Sequence, residues 1–154
     1  MASEKICVLY VDDEVNNLLA FKASFRRYFD IVTVESADEA RKVLQEKKFH
    51  VIITDQRMPG ITGVEFLESI LEIYPDPIRI LLTGFADIEA VVAAINKGQV
   101  YKYIAKPWVE EELKAIIETA YGIIQLREEK KKLTNDLKEV NEQLEFMLRQ
   151  KLLS

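Results

Sequence analysis

The chain carries one cysteine and one histidine, and its 154 residues include only five glycines and four prolines. A single cysteine excludes an internal disulfide, and Cys7, set inside an apolar run, reads as a small buried hydrophobe of a reducing compartment. His50 precedes an apolar stretch and has no Cys or clustered acidic partners, so it reads as a core or edge histidine rather than a metal ligand. Positive charge is in deficit: 21 Lys and Arg stand against 26 Asp and Glu, a formal charge of −5. A surface that neutralises nucleic-acid phosphates needs the opposite balance, and no direct nucleic-acid binding by this segment is expected. Long hydrophobic runs are missing as well; none approaches the roughly 20 residues of a membrane span. The N-terminal residues Met1–Lys5 run straight into a strand rather than a leader, and the chain is expected to be cytoplasmic, without membrane contact.

What is present is an alternation. Hydrophobic residues make up 49% of the chain, enough to build the core of one domain without staples. Short apolar, β-branched runs at Ile6–Val11, Ile31–Val34, Phe49–Thr54, Ile78–Thr83 and Val100–Ala105 read as buried strands. Between them lie helical patterns. The first runs from about Val15 to Tyr28, with Leu18, Leu19, Phe21 and Phe25 on its apolar face. The second opens at the N-cap Ser36, with Glu39 at the third helical position, and reaches about Lys47. The third runs from about Val64 to Ile73, after a loop broken by Pro59, Gly60 and Gly63 and before Pro75 and Pro77. Gly84 and Asp87 introduce the fourth, Ile88–Asn96, which Gly98 is expected to terminate. Strands alternating with helices across short connections predict an α/β, doubly wound parallel sheet with right-handed crossovers, and 2-1-3-4-5 is one of two common strand orders. In that order the switch point falls between the strands that end in Asp12-Asp13 and Asp55.

The last helix does not stop. From about Leu113, apolar residues recur at alternating spacings of three and four through Ile116, Ile123, Leu126, Leu133, Leu137, Val140, Leu144 and Met147, a heptad seam interrupted by Lys130 and Lys151. The first turns are expected to pack on the sheet, while Glu128–Ser154 projects either as a two-stranded coiled coil or as a solvated single helix. The chain ends in mid-heptad, which reads as a linker cut before a further domain.

Parallel strands deliver their C-terminal residues to one sheet edge, so Asp12, Asp13, Asp55, Thr83 and Lys106 should meet there. Converging carboxylates repel one another unless a divalent cation or Lys106 offsets them. Oxygen-only ligation at an open edge suits Mg²⁺, which keeps several waters and often shares its shell with a phosphoryl group. A carboxylate can itself attack phosphorus and form an aspartyl phosphate.

The pattern Val11-Asp12-Asp13-Glu14, Thr54-Asp55 followed by Met58-Pro59-Gly60 and Gly63, Leu82-Thr83-Gly84 and Ala105-Lys106-Pro107 closely resembles the receiver domain of two-component response regulators, over about residues 4–124. The resemblance implies a flavodoxin-like (βα)5 fold, with residues 125–154 as a helical extension. It implies that Asp55 accepts a phosphoryl group from a histidine kinase or phosphotransfer protein, with the domain catalysing only its own phosphoryl transfer and dephosphorylation. Asp13, Asp55 and the backbone carbonyl of Arg57 would ligate Mg²⁺, Asp12 would act mainly through water, and Lys106 would pair with a phosphoryl oxygen. Thr83 would donate a hydrogen bond to the new phosphate and Tyr103 would be the aromatic switch. Pro107 resembles the family's cis proline. Arg57 and Phe85 match positions that border the phosphoryl group, and their bulk suggests slow dephosphorylation. Trp108 is assigned to packing or to a partner face. The stretch Asp87–Trp108 is similar to receivers attached to hydrogenase-type transcriptional regulators and to cyclic-di-nucleotide phosphodiesterases. The resemblance further implies signal relay to an output domain, and the heptad seam of the tail, read as a coiled coil, adds the expectation of a homodimer.

Three other readings are weaker. A haloacid-dehalogenase-like phosphatase places a second Asp two residues after its nucleophile, where this chain has Arg57. A flavin or dinucleotide domain needs glycines after the first strand, where this chain has Asp12-Asp13-Glu14. A pure interaction module, with tail contacts that matter more than phosphorylation, is opposed by a site with no missing member.

Overall fold

The computed structural model describes residues 5–154, with the backbone alone for Phe85, Ala90, Ala93, Ala94, Ile95 and Gly98. Met1–Glu4, expected to lead into the first strand, lie outside the described residues. The elements follow one another as β1 (Cys7–Val11), α1 (Val15–Phe25), β2 (Asp30–Val34), α2 (Ala37–Glu46), β3 (Val51–Asp55), α3 (Gly63–Ile70), β4 (Ile78–Thr83), a 3₁₀ turn (Phe85–Asp87), α4 (Ile88–Gly98), β5 (Lys102–Ala105) and α5 (Glu110–Leu153). The strands form one parallel sheet in the order 2-1-3-4-5. No helix of the described residues is long and apolar enough to cross a membrane.

The chain divides into two units, Met1–Tyr121 and Gly122–Ser154. In the first, β1, β3 and β4 are buried along almost their whole length, as expected for strands covered on both faces. Leu9, Val11, Ile52 and Leu81 join a core that includes Ala40 and Leu44 of α2 and Phe66, Leu67 and Ile70 of α3. Tyr10 meets Phe21 of α1 at 4.4 Å between ring centroids, and Trp108 lies 5.3 Å from Phe25, so Trp108 is a packing residue. Leu113, Ile117 and Ala120 on the first turns of α5 are buried, while Ile116 of the heptad seam is half-buried. In the second unit, Leu133, Leu137, Val140, Leu144 and Met147 are exposed on an unbroken helix.

Several boundaries differ from the sequence expectation, each for a local reason. Helix α1 ends at Phe25 rather than Tyr28, because the amides of Tyr28 and Phe29 both turn back to the Phe25 carbonyl, at 2.9 and 3.0 Å. Leu19 is 62% exposed: Leu18, Phe21 and Phe25 follow the i, i+3, i+7 stripe, and Leu19 sits about 100° round from Leu18. Helix α3 is shorter than its apolar pattern and leaves Ile73 exposed. Helix α4 runs through Gly98, and the left-handed position that follows is taken by Gln99, at φ +49°, rather than by the glycine. Strand β5 begins two residues later than expected, at Lys102. Helix α5 starts at Glu110, where three successive glutamates complement the positive end of the helix dipole. Cys7 is half-buried rather than buried, with its Sγ directed at Asp30 Oδ2 at 3.8 Å. It shares a cleft of about 860 Å³ with His50, at the sheet edge remote from Asp55. His50 Nδ1 accepts the Cys7 N–H at 2.9 Å and its ring meets Tyr121 edge-on, a structural role at the edge of the core.

Two details fix the loops that carry the site. Thr62 and Glu65 form a capping box at the start of α3, and a Cβ added to Gly63 would lie 2.4 Å from the Asp55 carbonyl oxygen, so only glycine lets α3 approach β3 this closely. Arg79, buried in β4, donates to the carbonyls of Tyr74 and Pro77, the latter at 3.1 Å, and so ties the α3–β4 loop to the sheet. Gly63→Ala is expected to lower stability by about 1–3 kcal/mol through overpacking, and Gln99→Gly to raise it by about 1 kcal/mol by relieving the left-handed backbone; urea midpoints of the two variants against the parent chain check both signs.

Candidate functional site

The register of the central strands builds the site. Val11 pairs with Thr54, so the next residues, Asp12 and Asp55, lie side by side on adjacent strands, and Asp55 in turn pairs with Leu82 of β4. Thr83 pairs with Ala105, and the Lys106 amide donates to the Thr83 carbonyl at 2.9 Å, which carries the lysine to the same edge. Asp12, Asp13 and Asp55 each offer a carboxylate oxygen within 4.8 Å of the others. Asp12 is fully buried, Asp55 is 5% exposed and Asp13 is exposed. The Lys106 ammonium forms an ion pair with Asp55 Oδ1. The Lys106-Pro107 peptide is cis, in agreement with the sequence resemblance.

Burial pushes the Asp55 carboxyl above its usual range; the Lys106 ammonium pulls it back, and the charges of Asp12 and Asp13 push in the same direction as burial. The site is thus short of positive charge. Its accessible donors are carboxylate oxygens, the chemistry of a hard divalent cation, and the residues fit Mg²⁺ on that ground.

Asp12 is held by three donors. The Tyr10 hydroxyl reaches its Oδ2 at 2.7 Å, Asn17 Nδ2 reaches the same oxygen at 3.1 Å, and the Glu14 amide donates to Oδ1 at 3.0 Å. Burial, and then the adjacent Asp12 carboxylate, push the Tyr10 hydroxyl far above the ordinary tyrosine range, so it stays a donor. Neither Tyr10 nor Asn17 stood out in the sequence. The signal for Tyr10 was the period of two along a strand, which puts Tyr10 and Asp12 on one face.

The remaining candidates surround this centre. The buried Thr83 directs its hydroxyl toward the Gly84 carbonyl at 3.4 Å, too long to hold it firmly. Tyr103 is 39% exposed; it pairs with Leu81, two residues before Thr83, so Tyr103 and Thr83 share a sheet face. Arg57 turns its guanidinium to Asp87 Oδ1 at 2.6 Å, bridging the β3–α3 loop to the 3₁₀ turn and holding the Asp87 carboxyl below its usual range. Asp87, a helix start in the sequence, is thus also the ion-pair partner of Arg57. The Phe85 side chain, assigned beside Arg57, lies outside the described residues. Gln56 is used structurally, its Oε1 accepting from the Val64 amide at 3.1 Å.

Comparison with known proteins gives a consistent picture. Residues 8–118 match the family described as the response regulator receiver domain. The hydrogenase transcriptional regulatory protein HoxA of Cupriavidus necator is 43% identical over 113 residues, covering 73% of this chain and 23% of that regulator. The chain therefore spans about a quarter of the length of such a relative. The signal receiver domain of an HD domain-containing protein from Pseudomonas fluorescens superposes with a TM-score of 0.77 at 26% identity, over 84% of this chain and 96% of that one. A response regulator receiver domain protein from Clostridium thermocellum does so with a TM-score of 0.73 at 28% identity, over 79% and 98% of the two chains.

The raised Asp55 pKa sets a pH dependence. The folded chain holds this proton more tightly than the unfolded chain, so the group's contribution is fully present below the ordinary carboxylate range and is lost as pH rises through the folded value. Asp55→Asn is expected to be more stable than the parent chain near neutral pH without added metal, with the difference closing as pH falls below about 4; denaturant midpoints across that range test the sign.

Proposed function

The chain belongs to the response regulator receiver domain family of two-component systems, and from that premise we propose that Asp55 accepts a phosphoryl group from a histidine kinase or phosphotransfer protein in a Mg²⁺-dependent reaction. The observation that carries this reading is the convergence of Asp12, Asp13 and Asp55 within 4.8 Å, with Lys106 paired to Asp55. An ionised Asp55 oxygen attacks phosphorus, the phosphorus–nitrogen bond of the donor phosphohistidine breaks with its electron pair returning to the imidazole, and an acyl phosphate forms on Asp55. Asp13, Asp55 and the Arg57 backbone carbonyl would hold Mg²⁺ directly, and Asp12 would act through water. When bound, the cation supplies neutralisation of the charge that develops on the transferring oxygens. Lys106, released from the Asp55 oxygen it pairs with, follows the negative charge to a phosphoryl oxygen. The loosely held Thr83 hydroxyl donates to the same group, and the Tyr103 ring, on the same sheet face, turns inward behind it. This domain is a signalling element and transforms no other substrate.

Output passes through α5. We assign residues 1–124 to the receiver and 125–154 to a helical linker; the exposed leucines of the second unit support a homodimer along the heptad seam that relays the conformational change to an output domain. The Arg57–Asp87 pair at the rim supports restricted entry of water and slow loss of the phosphoryl group.

Incubation with Mg²⁺ and a small phosphodonor is expected to add one phosphoryl mass to the intact chain, and the increment is expected to vanish in Asp55→Asn. Full modification of that variant, or none of the parent chain, overturns the assignment. Lys106→Ala should slow the modification by about 10²-fold, the loss expected for removing one charge-stabilising group, read from the rate of mass gain. Arg57→Ala should shorten the phosphoryl lifetime, and an unchanged decay would remove Arg57 from any role in excluding water.

A further inference from the structure

We propose that Tyr10 and Asn17 set the cation selectivity of the acidic site by saturating one oxygen of Asp12, so that this carboxylate keeps a single lone pair, enough for the metal-bound water through which it acts, and cannot be recruited to chelate a cation. The inference rests on the metal reading above and concerns residues to which that reading gives no part.

An ionised carboxylate has two oxygens with about four lone-pair sites in all. At Asp12, Oδ2 receives two donors, the Tyr10 hydroxyl and Asn17 Nδ2, while Oδ1 receives the Glu14 amide. What is left is one site, on Oδ1. The donors are not free to leave. Tyr10 is 1% exposed, with its ring packed against Phe21, and its hydroxyl shares a strand face with Asp12 two residues on. Asn17 is steadied by a second contact, from Nδ2 to Glu14 Oε2 at 3.3 Å. Otherwise apolar surroundings at Tyr10 would suit phenylalanine equally well, so the hydroxyl calls for a reason beyond packing.

Cation chemistry supplies one. Calcium gathers six to eight oxygens in a flexible shell and readily takes carboxylates in bidentate fashion, whereas magnesium keeps several waters and needs few carboxylate oxygens. A buried Asp12 limited to one lone pair withholds from calcium the extra oxygen it would recruit, and costs magnesium nothing. Freeing Oδ2 would restore the chelating option. Outer-shell partners of this kind commonly alter metal affinity by 10–100-fold.

Tyr10→Phe keeps the ring and removes only the hydroxyl, and Asn17→Ala removes the other donor from a half-buried helix position. Isothermal titration of the whole chain with MgCl₂ and with CaCl₂ gives the affinity ratio for the parent and each variant. The parent is expected to favour Mg²⁺, and the ratio is expected to fall by about tenfold in Tyr10→Phe and in the same direction in Asn17→Ala. A ratio that stays constant, whether both affinities hold or both weaken together, would make these residues merely structural and overturn the inference. A parent chain that binds neither cation would remove the metal reading itself, and the selectivity with it.

Discussion

Asp55 is a carboxylate with 5% of its surface exposed, set beside the buried Asp12 and the exposed Asp13, and much of the chain's architecture serves to keep it there. Isolated, such a group would take up a proton or move toward water. Its place is fixed because β3 is clamped on both sides by parallel partners, β1 and β4, and its charge is partly offset because Lys106 arrives after β5 with the opposite sign. The site is accordingly poised rather than relaxed: burial and two like charges oppose ionisation, one ammonium supports it, and further positive charge would be welcome. Functional sites commonly hold unfavourable electrostatics that the rest of the fold must offset.

The offsets are specific. Gly63 lets the capping box of α3 close against the Asp55 carbonyl, and Arg79 fastens the loop on the other side of α3 through carbonyl oxygens. The aromatic cluster of Tyr10, Phe21, Phe25 and Trp108 anchors α1 near the residue that follows Pro107. These contacts connect the acidic edge to α1, to α3 and to the start of α5, while Tyr103, on the same sheet face as Thr83, stands partly in solvent. The Thr83 hydroxyl is loosely held on a closely packed base, and the Tyr103 ring on the same face is exposed.

Much of the fold was legible in the sequence, because strands covered on both faces are short β-branched runs and the helices between them carry a 3.6-residue stripe. All five strands and the convergence of Asp12, Asp13, Asp55, Thr83 and Lys106 at one edge followed from that pattern, whereas the order 2-1-3-4-5 was one of two it allowed, and the family resemblance pointed to it. Helix ends did not. Apolarity alone carried α1 on to Tyr28 and α3 on to Ile73, although competing backbone turns end both helices sooner. Gly98 looked like a helix stop, but the helix runs through it and the left-handed residue is Gln99, one position later. Cys7 looked buried because its neighbours are apolar, yet it lies where the sheet begins and only half the cover is present.

The sequence by itself determined which chemistry gathers at the edge, since the last residue of a parallel strand has only one place to go. Tertiary structure alone decided how each carboxylate is used. That Tyr10 and Asn17 both donate to one oxygen of Asp12, that Lys106 chooses Asp55, and that Arg57 crosses to Asp87 are facts of distance between segments. A linear pattern carries residue types and their period; hydrogen bonds and ion pairs depend on the separation of atoms a few ångströms apart, which exists only once the strands have paired and the loops have closed.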